Sequence, residues 1–483
     1  MASPWFFARW DSGLFTYIWY DGIQTDMKTD FKGKKILIVG FGKTGTAALE
    51  ELIHMGAVCA VQDAKTEDKL EPKLLDTLKS NNVKCYLGTE PKQEDLFDML
   101  VLSPGVPPTL KFIQNARSKG SEVIGELELA FRISKGIFVS ITGTNGKTTT
   151  TALLGEIFRN AGRDTYVVGN IGTAVTSVAR RAKAESWIIT ETSSFQLETT
   201  EHFKPYISVL LNVSPDHLDR HGDMENYIDI KTKIFKNQDK DDYVIVNYDN
   251  RQIYEAALGC RAKIVPFSRL AKLPHGVFVK AGKMVAADEK GFSTEIVDID
   301  RLLLPGLHNL ENALAAVAAA YYAGIPVSVI ANTLKTFKGV SHRLEFCGRL
   351  EGVTFINDSK GTNPDAAIKA IEAVKGRIIL IAGGADKNTG FGHFVEAFGG
   401  KVKHTVLLGA TAQFIKEAAE SKGFYNNVIL KTMEDCVAKA FELAEPGDTV
   451  LLSPACASLD MYSCFEERGE DFKSNVSKLR SKK

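Results

Sequence analysis

Short apolar runs recur along the chain, and most end in a turn of Gly, Ser, Asn, Asp or Pro that opens a helical pattern of period 3.6. They lie at 34–39, 58–61, 99–102 and 122–124, then at 136–139, 187–190, 207–211, 244–246 and 263–266, and finally at 353–356, 377–382, 404–408 and 449–452. Strand, polar turn and helix in alternation predict an α/β protein with largely parallel sheets whose C-terminal edges carry the turns. The uncharged stretch from 312 to 335 reaches a membrane-spanning length by counting alone. It is alanine-rich and broken by Gly324-Ile325-Pro326, so it reads as two soluble helices meeting at a turn.

The turns carry the chemistry. SITGTNGKTTTT (140–151) joins an apolar run to a helical pattern, and such a turn aims backbone N–H groups and a helix N-terminus at a polyphosphate. Gly143, Thr144, Asn145, Gly146 and Thr149 would form the cradle, Lys147 would reach the β- and γ-phosphates, and the Thr148 hydroxyl would ligate Mg2+. Ile141 stands where the usual P-loop pattern has its first glycine. Glu191 ends a neighbouring apolar run, the place from which P-loop enzymes present a Mg2+-holding acid; the plain alternative is a solvated carboxylate. The run 207–211 ends in NVSPDHLDRH (212–221), a density of Asp and His suited to metal and phosphate chemistry. Taken singly, His217 reads more readily as a structural histidine, and Lys231, in the helical pattern 224–235, as a surface lysine. Near the start, GFGKTG (40–45) with Asp63 about 20 residues on is a dinucleotide-type fingerprint. Alone it suggests a nicotinamide enzyme, or a tight turn that binds nothing.

A chain of 483 residues is too long for one core and suggests three domains. Lys+Arg and Asp+Glu balance at 59 each, so nothing draws it to nucleic acid or an anionic membrane. Seven cysteines without a C-x-x-C pair read as buried thiols in a reducing cytoplasm. The first thirty residues hold Trp5, Trp10 and Trp19 among other aromatics, interrupted by Arg9, Asp11 and Asp21, which argues against a signal peptide. An upstream start or an appended leader is the expectation, with an aromatic docking segment as the alternative.

The motifs GTNGKTTT (143–150), ETSSFQLE (191–198), NVSPDHLDRH (212–221), LPGLHNLENALAA (304–316), SHRLE (341–345), INDSKGTNPDA (356–366), GGADK (383–387) and SPACASLDMYSCFEERG (453–469) together resemble the Mur ligase family. NDSKGTN and SPACASLD are similar to its D-glutamate-adding type, and the DNPR-like motif of the diaminopimelate- or lysine-adding type is not found. The resemblance runs from about residue 34 to the C-terminus. It implies a leader at 1–32, a Rossmann-like N-terminal domain at 33–125 that binds a UDP-linked substrate, a central P-loop-type ATPase domain at 126–339, and a Rossmann-like C-terminal domain at 340–483 that binds D-glutamate. The implied reaction is ATP-dependent addition of D-glutamate to UDP-N-acetylmuramoyl-L-alanine through an acyl phosphate, in peptidoglycan precursor synthesis. Implied UDP-substrate contacts are Gly42, Lys43, Thr44, Asp63, Gly105 and Asn170; Lys65 stands where many relatives have an arginine. Asn312, Arg343 and Asp358 join the ATP site, with Lys360 near the reacting phosphate. Thr362, Lys387, Ser458 and Phe465 match the D-glutamate pocket. Thr148 and Glu191 would hold one Mg2+, His217 and Lys231 a second, with Lys231 as N6-carboxylysine. The protein is expected to be a cytoplasmic monomer with no nucleic-acid or membrane partner. A different Mur-type or folylpolyglutamate-type ligase, or a nucleotide-gated binding protein, remains an alternative.

Overall fold

The computed structural model describes residues 30–481 except 171, 305, 386–389 and the side chains of 219 and 365. The aromatic leader through residue 29 and the expected glutamate contact Lys387 lie outside the described residues. The protein is α/β, as the alternation of apolar runs and helical patterns requires, with three sheets among the described residues.

The first sheet contains β1 (Lys35–Val39), β2 (Val58–Asp63), β3 (Lys84–Leu87), β4 (Met99–Leu102) and β5 (Glu122–Gly125), all parallel, in the order β3-β2-β1-β4-β5. The chain turns back at β1, so the strand ends of β2, β1 and β4 lie side by side, the usual place for a ligand in such a sheet. The second sheet contains β6 (Ile137–Thr142), β7 (Thr165–Gly169), β8 (Trp187–Glu191), β9 (Ile207–Leu210), β10 (Tyr243–Asn247), β11 (Lys263–Ser268), β12 (Gly276–Lys280), β13 (Lys283–Ala287) and β14 (Ser293–Asp298), in the order β14-β13-β12-β11-β10-β9-β6-β8-β7. It is parallel from β7 to β12 and ends in the antiparallel set β12-β13-β14. The helix Leu307–Tyr322 lays its alanines flat on this sheet, and the helix Val327–Thr336 follows after the Gly-Ile-Pro turn, so the uncharged stretch is two helices as expected. Among the described residues no helix is long and apolar enough to cross a membrane.

The third sheet contains β15 (Glu345–Leu350), β16 (Val353–Asn357), β17 (Ile378–Ala382), β18 (Val402–Leu407), β19 (Asn427–Ile429) and β20 (Thr449–Leu452), in the order β15-β16-β20-β17-β18-β19. Only its edge strand β15 runs antiparallel. Its two faces carry separate apolar layers, one around Ile371, Leu380 and Phe394, the other around Phe355, Ile379 and Phe472.

The chain divides into two units, one through Phe337 and one from Lys338 onward. The first two sheets share a unit because the helix Glu126–Ile133, which links them, plants two carboxylates in the second layer. Glu128 is fully buried and accepts the backbone N–H groups of Glu201, His202 and Phe203 together with Arg132 Nε at 2.8 Å. Glu126 accepts the Thr176 N–H and hydroxyl at 2.6 and 2.8 Å. A buried carboxylate is tolerated only with donors like these.

The cysteine expectation needs correction. All seven are free, but only Cys436 and Cys456 are buried, and Cys85 is exposed. Cys85 lies on the edge strand β3, whose first two residues, Lys84 and Cys85, are exposed.

Candidate active site

The phosphate loop is built where β6 ends. Gly143 has φ 152° and Gly146 has φ 86°, and a Cβ on Gly146 would collide with Asn312 Oδ1, so no other residue fits there. The helix Lys147–Asn160 starts directly after it, which brings its positive end to the loop. Two loop amides have protein acceptors: Thr144 N–H donates to Asn212 O at 3.0 Å and Asn145 N–H to Asn212 Oδ1 at 2.9 Å. The expected cradle residues Gly143 to Thr149 thus lie in the loop and the first turn of its helix, with the Thr144 and Asn145 amides held by Asn212. Lys147 Nζ folds back over the loop and donates to Gly143 O at 2.9 Å and Thr144 O at 2.8 Å. Asn312, also a sequence expectation, is buried beside Gly146 and donates to Asn309 Oδ1.

Glu191 ends β8, and the strand register pairs it with Ile141 of β6 and Gly169 of β7. Its side chain is 2% exposed; Oε1 accepts Asn170 Nδ2 at 2.8 Å, while buried Oε2 has no hydrogen-bond partner. An uncompensated carboxylate oxygen in the interior is costly and suits a cation. Among the described residues no three His, Cys, Asp or Glu side chains are grouped to hold a metal by themselves. A divalent ion here would take Glu191 and Thr148 together with substrate phosphate oxygens and water, the pattern Mg2+ prefers.

Lys231 is not the surface lysine its helical position suggests: it is 1% exposed, and its Nζ donates to Gly143 O at 2.9 Å. Burial, then the nearby Lys147 charge, push its amine down to about 7, with Asp216 pulling the other way. The Tyr227 ring lies 4.5 Å from Nζ, and Tyr227 Oη pairs with Thr144 Oγ1 at 3.2 Å. His217 has φ 54° and is half-exposed against Phe195, ring centroids 4.8 Å apart, with Nε2 3.7 Å from Asp216 Oδ2. The motif did not mark out His221 for a role. It is buried, bonded through Nε2 to Ser194 Oγ at 3.0 Å and stacked on Tyr227.

In the first sheet, Gly42, Lys43 and Gly105 are exposed and Thr44 is half-buried, at the adjacent ends of β1 and β4. Ser103 Oγ donates to Gly40 O at 2.8 Å, which ties those two turns together. Asp63 accepts Phe41 N–H at 2.6 Å and Lys65 N–H at 2.8 Å, so its carboxylate also shapes the glycine turn.

The second unit gathers its turns at the ends of β16, β20, β17 and β18. Asp358 is 5% exposed and accepts Ser453 Oγ at 2.7 Å; burial drives its carboxyl up to about 7, against the pull of that hydroxyl and of Arg343. Lys360 N–H donates to His342 O at 2.9 Å and Thr362 N–H to Lys360 O at 2.8 Å. Arg468, absent from the expected set, is 1% exposed and ties Ser359, Cys456 and Ala457 by four hydrogen bonds of 2.9–3.1 Å. It thereby braces the turns that carry Lys360, Thr362 and Ser458. Ser458 is buried and Phe465 half-buried at the start of the helix Phe465–Ser481.

Family models match three segments: the Mur ligase MurD-like N-terminal domain at 34–125, the Mur ligase middle domain at 141–320, and the Mur ligase glutamate ligase domain at 342–456. A UDP-N-acetylmuramoylalanine--D-glutamate ligase of Alkaliphilus oremlandii (strain OhILAs) is 49% identical over 454 residues, 93% of this chain and 100% of that protein. The chain belongs to the Mur ligase family. The protein of the same name from Clostridioides difficile (strain 630) is likewise 49% identical, with the same coverage. Among solved structures, the Mur ligase MurC from Thermotoga maritima shares the fold at a TM-score of 0.53 and 18% identity, covering 93% of this chain and 100% of that one. MurF from Acinetobacter baumannii does so at 0.52 and 16%, covering 92% and 91%. Within this Mur ligase, the first unit brings together Gly143, Gly146, Lys147, Thr148, Asn170, Glu191, Lys231 and Asn312. The second unit brings together Asp358, Lys360, Thr362 and Ser458.

Proposed function

We propose that this Mur ligase joins the amine of D-glutamate to the alanyl carboxylate of UDP-N-acetylmuramoyl-L-alanine, with ATP converted to ADP and phosphate. The observation that carries the reading is a phosphate loop beside a buried carboxylate with one uncompensated oxygen, on a chain nearly half identical to D-glutamate ligases along their full length.

A carboxylate anion does not accept an amine directly. Its oxygen first takes the γ-phosphoryl group to give an acyl phosphate; the amine then adds to the acyl carbon, loses a proton, and phosphate departs as the amide forms. Lys147 and the N-terminal amides of its helix neutralise and orient the phosphates. Thr148 and Glu191 would hold Mg2+, which supplies further neutralisation of phosphate charge; His217 and Lys231 would hold a second ion. Lys231, whose amine is held near neutrality, is proposed to act as a carbamate, which turns a buried amine into an anionic oxygen ligand. Gly42, Lys43, Thr44, Asp63, Gly105 and Asn170 are assigned to the UDP-linked substrate, Arg343, Asp358 and Lys360 to ATP, and Thr362, Lys387, Ser458 and Phe465 to D-glutamate. The domain borders are proposed at 33–125, 126–339 and 340–483. A monomer in the cytoplasm fits ATP and UDP-linked substrates and a set of free cysteines.

The test is phosphate release from purified protein given ATP, UDP-N-acetylmuramoyl-L-alanine and a panel of amino acids. Release should require both the UDP-linked substrate and an acceptor, with D-glutamate preferred. Preference for L-lysine, diaminopimelate or L-alanine would overturn the assignment, and acceptor-independent hydrolysis would favour a nucleotide switch.

A further inference from the structure

Arg220 lies in the four-residue helix Leu218–His221, between the two histidines of the NVSPDHLDRH turn. Its guanidinium makes three kinds of contact at once. Nε and Nη2 donate to Glu198 Oε2 at 3.2 and 2.6 Å, the planar group lies 4.9 Å from the Phe195 ring centre, and Nη2 also donates to Val106 O at 3.3 Å. Phe195 and Glu198 lie on the short helix Ser194–Glu198 that follows Glu191 at the end of β8. Val106 closes the turn after β4 on the first sheet, through its N–H to Ser103 O at 2.9 Å, and Ser103 is bonded in turn to Gly40. Arg220 and Glu198 are 16% and 19% exposed, so the pair is shielded enough for its geometry to matter. A planar fork can serve carboxylate, ring face and carbonyl together; an ammonium is a point donor and cannot.

We propose that Arg220 is a positioning residue: it holds the turn 103–106, and with it the cradle for the UDP-linked substrate, in register with the segment that carries Glu191. The proposal rests on the reading of the Gly105 turn as belonging to that substrate's site. One end of the substrate is held at the first sheet while its carboxylate must reach the phosphate loop of the second, so a displaced cradle misplaces the reacting group. The two layers are joined elsewhere by Gly125 N–H on Thr199 O at 3.1 Å, by Arg132 Nη1 on Glu122 Oε1 at 2.6 Å and by Arg180 Nε on Glu51 Oε2 at 2.8 Å. Loss of Arg220 therefore leaves the fold braced while the turn loses its tether.

The experiment is steady-state kinetics of Arg220→Gln and Arg220→Lys, with ATP, D-glutamate and UDP-N-acetylmuramoyl-L-alanine each varied, beside thermal melts. Both variants should raise KM for the UDP-linked substrate by about tenfold or more while KM for ATP stays within about twofold. Equal rises for both substrates, a rise for ATP alone, or no rise would overturn the proposal. Should either variant fail to fold, Glu198→Gln weakens the anchor and leaves Val106 and Arg220 in place. It should shift the same KM ratio by about threefold, and an unchanged ratio would overturn the proposal equally. Failure of the underlying substrate reading is distinguishable, because the unmutated protein would then show no saturable dependence on the UDP-linked substrate.

Discussion

Lys231 Nζ and Lys147 Nζ both donate to the carbonyl of Gly143; burial of Lys231 first, and the Lys147 cation beside it second, push its amine down to about 7. The direction sets a pH dependence. A lysine whose folded pKa is depressed is neutral above that value, and only the neutral amine adds CO2. Ligase activity should therefore rise as pH increases from about 6 to 8, fall when CO2 is stripped, and recover on addition of bicarbonate. Lys231→Arg keeps a cation but forms no such carbamate, so its kcat should be as low as that of Lys231→Ala, on the order of 100-fold or more below the unmutated enzyme. Near-normal turnover of the arginine variant would show that the residue acts as a simple cation. Nothing local in the sequence marked this lysine; only the family resemblance did. Its burial comes from a loop 88 residues earlier in the chain closing over it. Glu191 was legible from local pattern because it ends an apolar strand beside the phosphate loop. Arg468 was not, since its function lies in bonds to backbone carbonyls brought in by folding.

At the level of elements, the apolar runs predicted the central strands well because those strands are buried on both faces and read as continuous hydrophobic stretches. The edge strands β3, β7, β15 and β19 escaped that pattern, being partly solvated and mixed in character. β6 runs three residues beyond the expected end, through Ser140, Ile141 and Thr142. Its polar residues are buried there, Ser140 Oγ pairing with Thr192 Oγ1 at 2.6 Å, where the sequence alone suggested the turn had begun. The helix expected at 224–235 narrows into a 3-10 turn after Thr232. The phosphate loop has little room for a side chain at Gly146. Gly146→Ala adds a methyl at a left-handed φ and against the buried Asn312 amide. It should cost about 1–3 kcal/mol in stability and at least about 100-fold in kcat/KM, read by chemical unfolding and by phosphate release. A variant that keeps activity within a few-fold would show that the loop adopts another shape when it binds nucleotide.

For the molecule as a whole, the second unit from Lys338 onward has what an independent domain needs: a six-stranded sheet covered on both faces by its own apolar layers. The segment leading into it is thin. Phe337 is the last buried residue of the helix end before it, Lys338 is exposed, and Gly339 has φ 98°, a left-handed conformation that glycine adopts without strain. The resemblance implies a border at 339/340, and the chain divides into its two units after Phe337. By contrast, the border near 125 falls inside the first unit and is crossed by Gly125 N–H on Thr199 O at 3.1 Å, Arg132 Nη1 on Glu122 Oε1 at 2.6 Å and Arg180 Nε on Glu51 Oε2 at 2.8 Å. Brief trypsin treatment should therefore cut first near Lys338 and leave two resistant fragments, with no comparable cut near residue 125. The fragment from 339 onward, expressed alone, should give a cooperative thermal transition and the circular dichroism of an α/β domain. Early cleavage around 125–135 would mean that these bonds do not hold the first two layers together, and a non-cooperative melt of the C-terminal fragment would mean that its sheet depends on the rest of the chain.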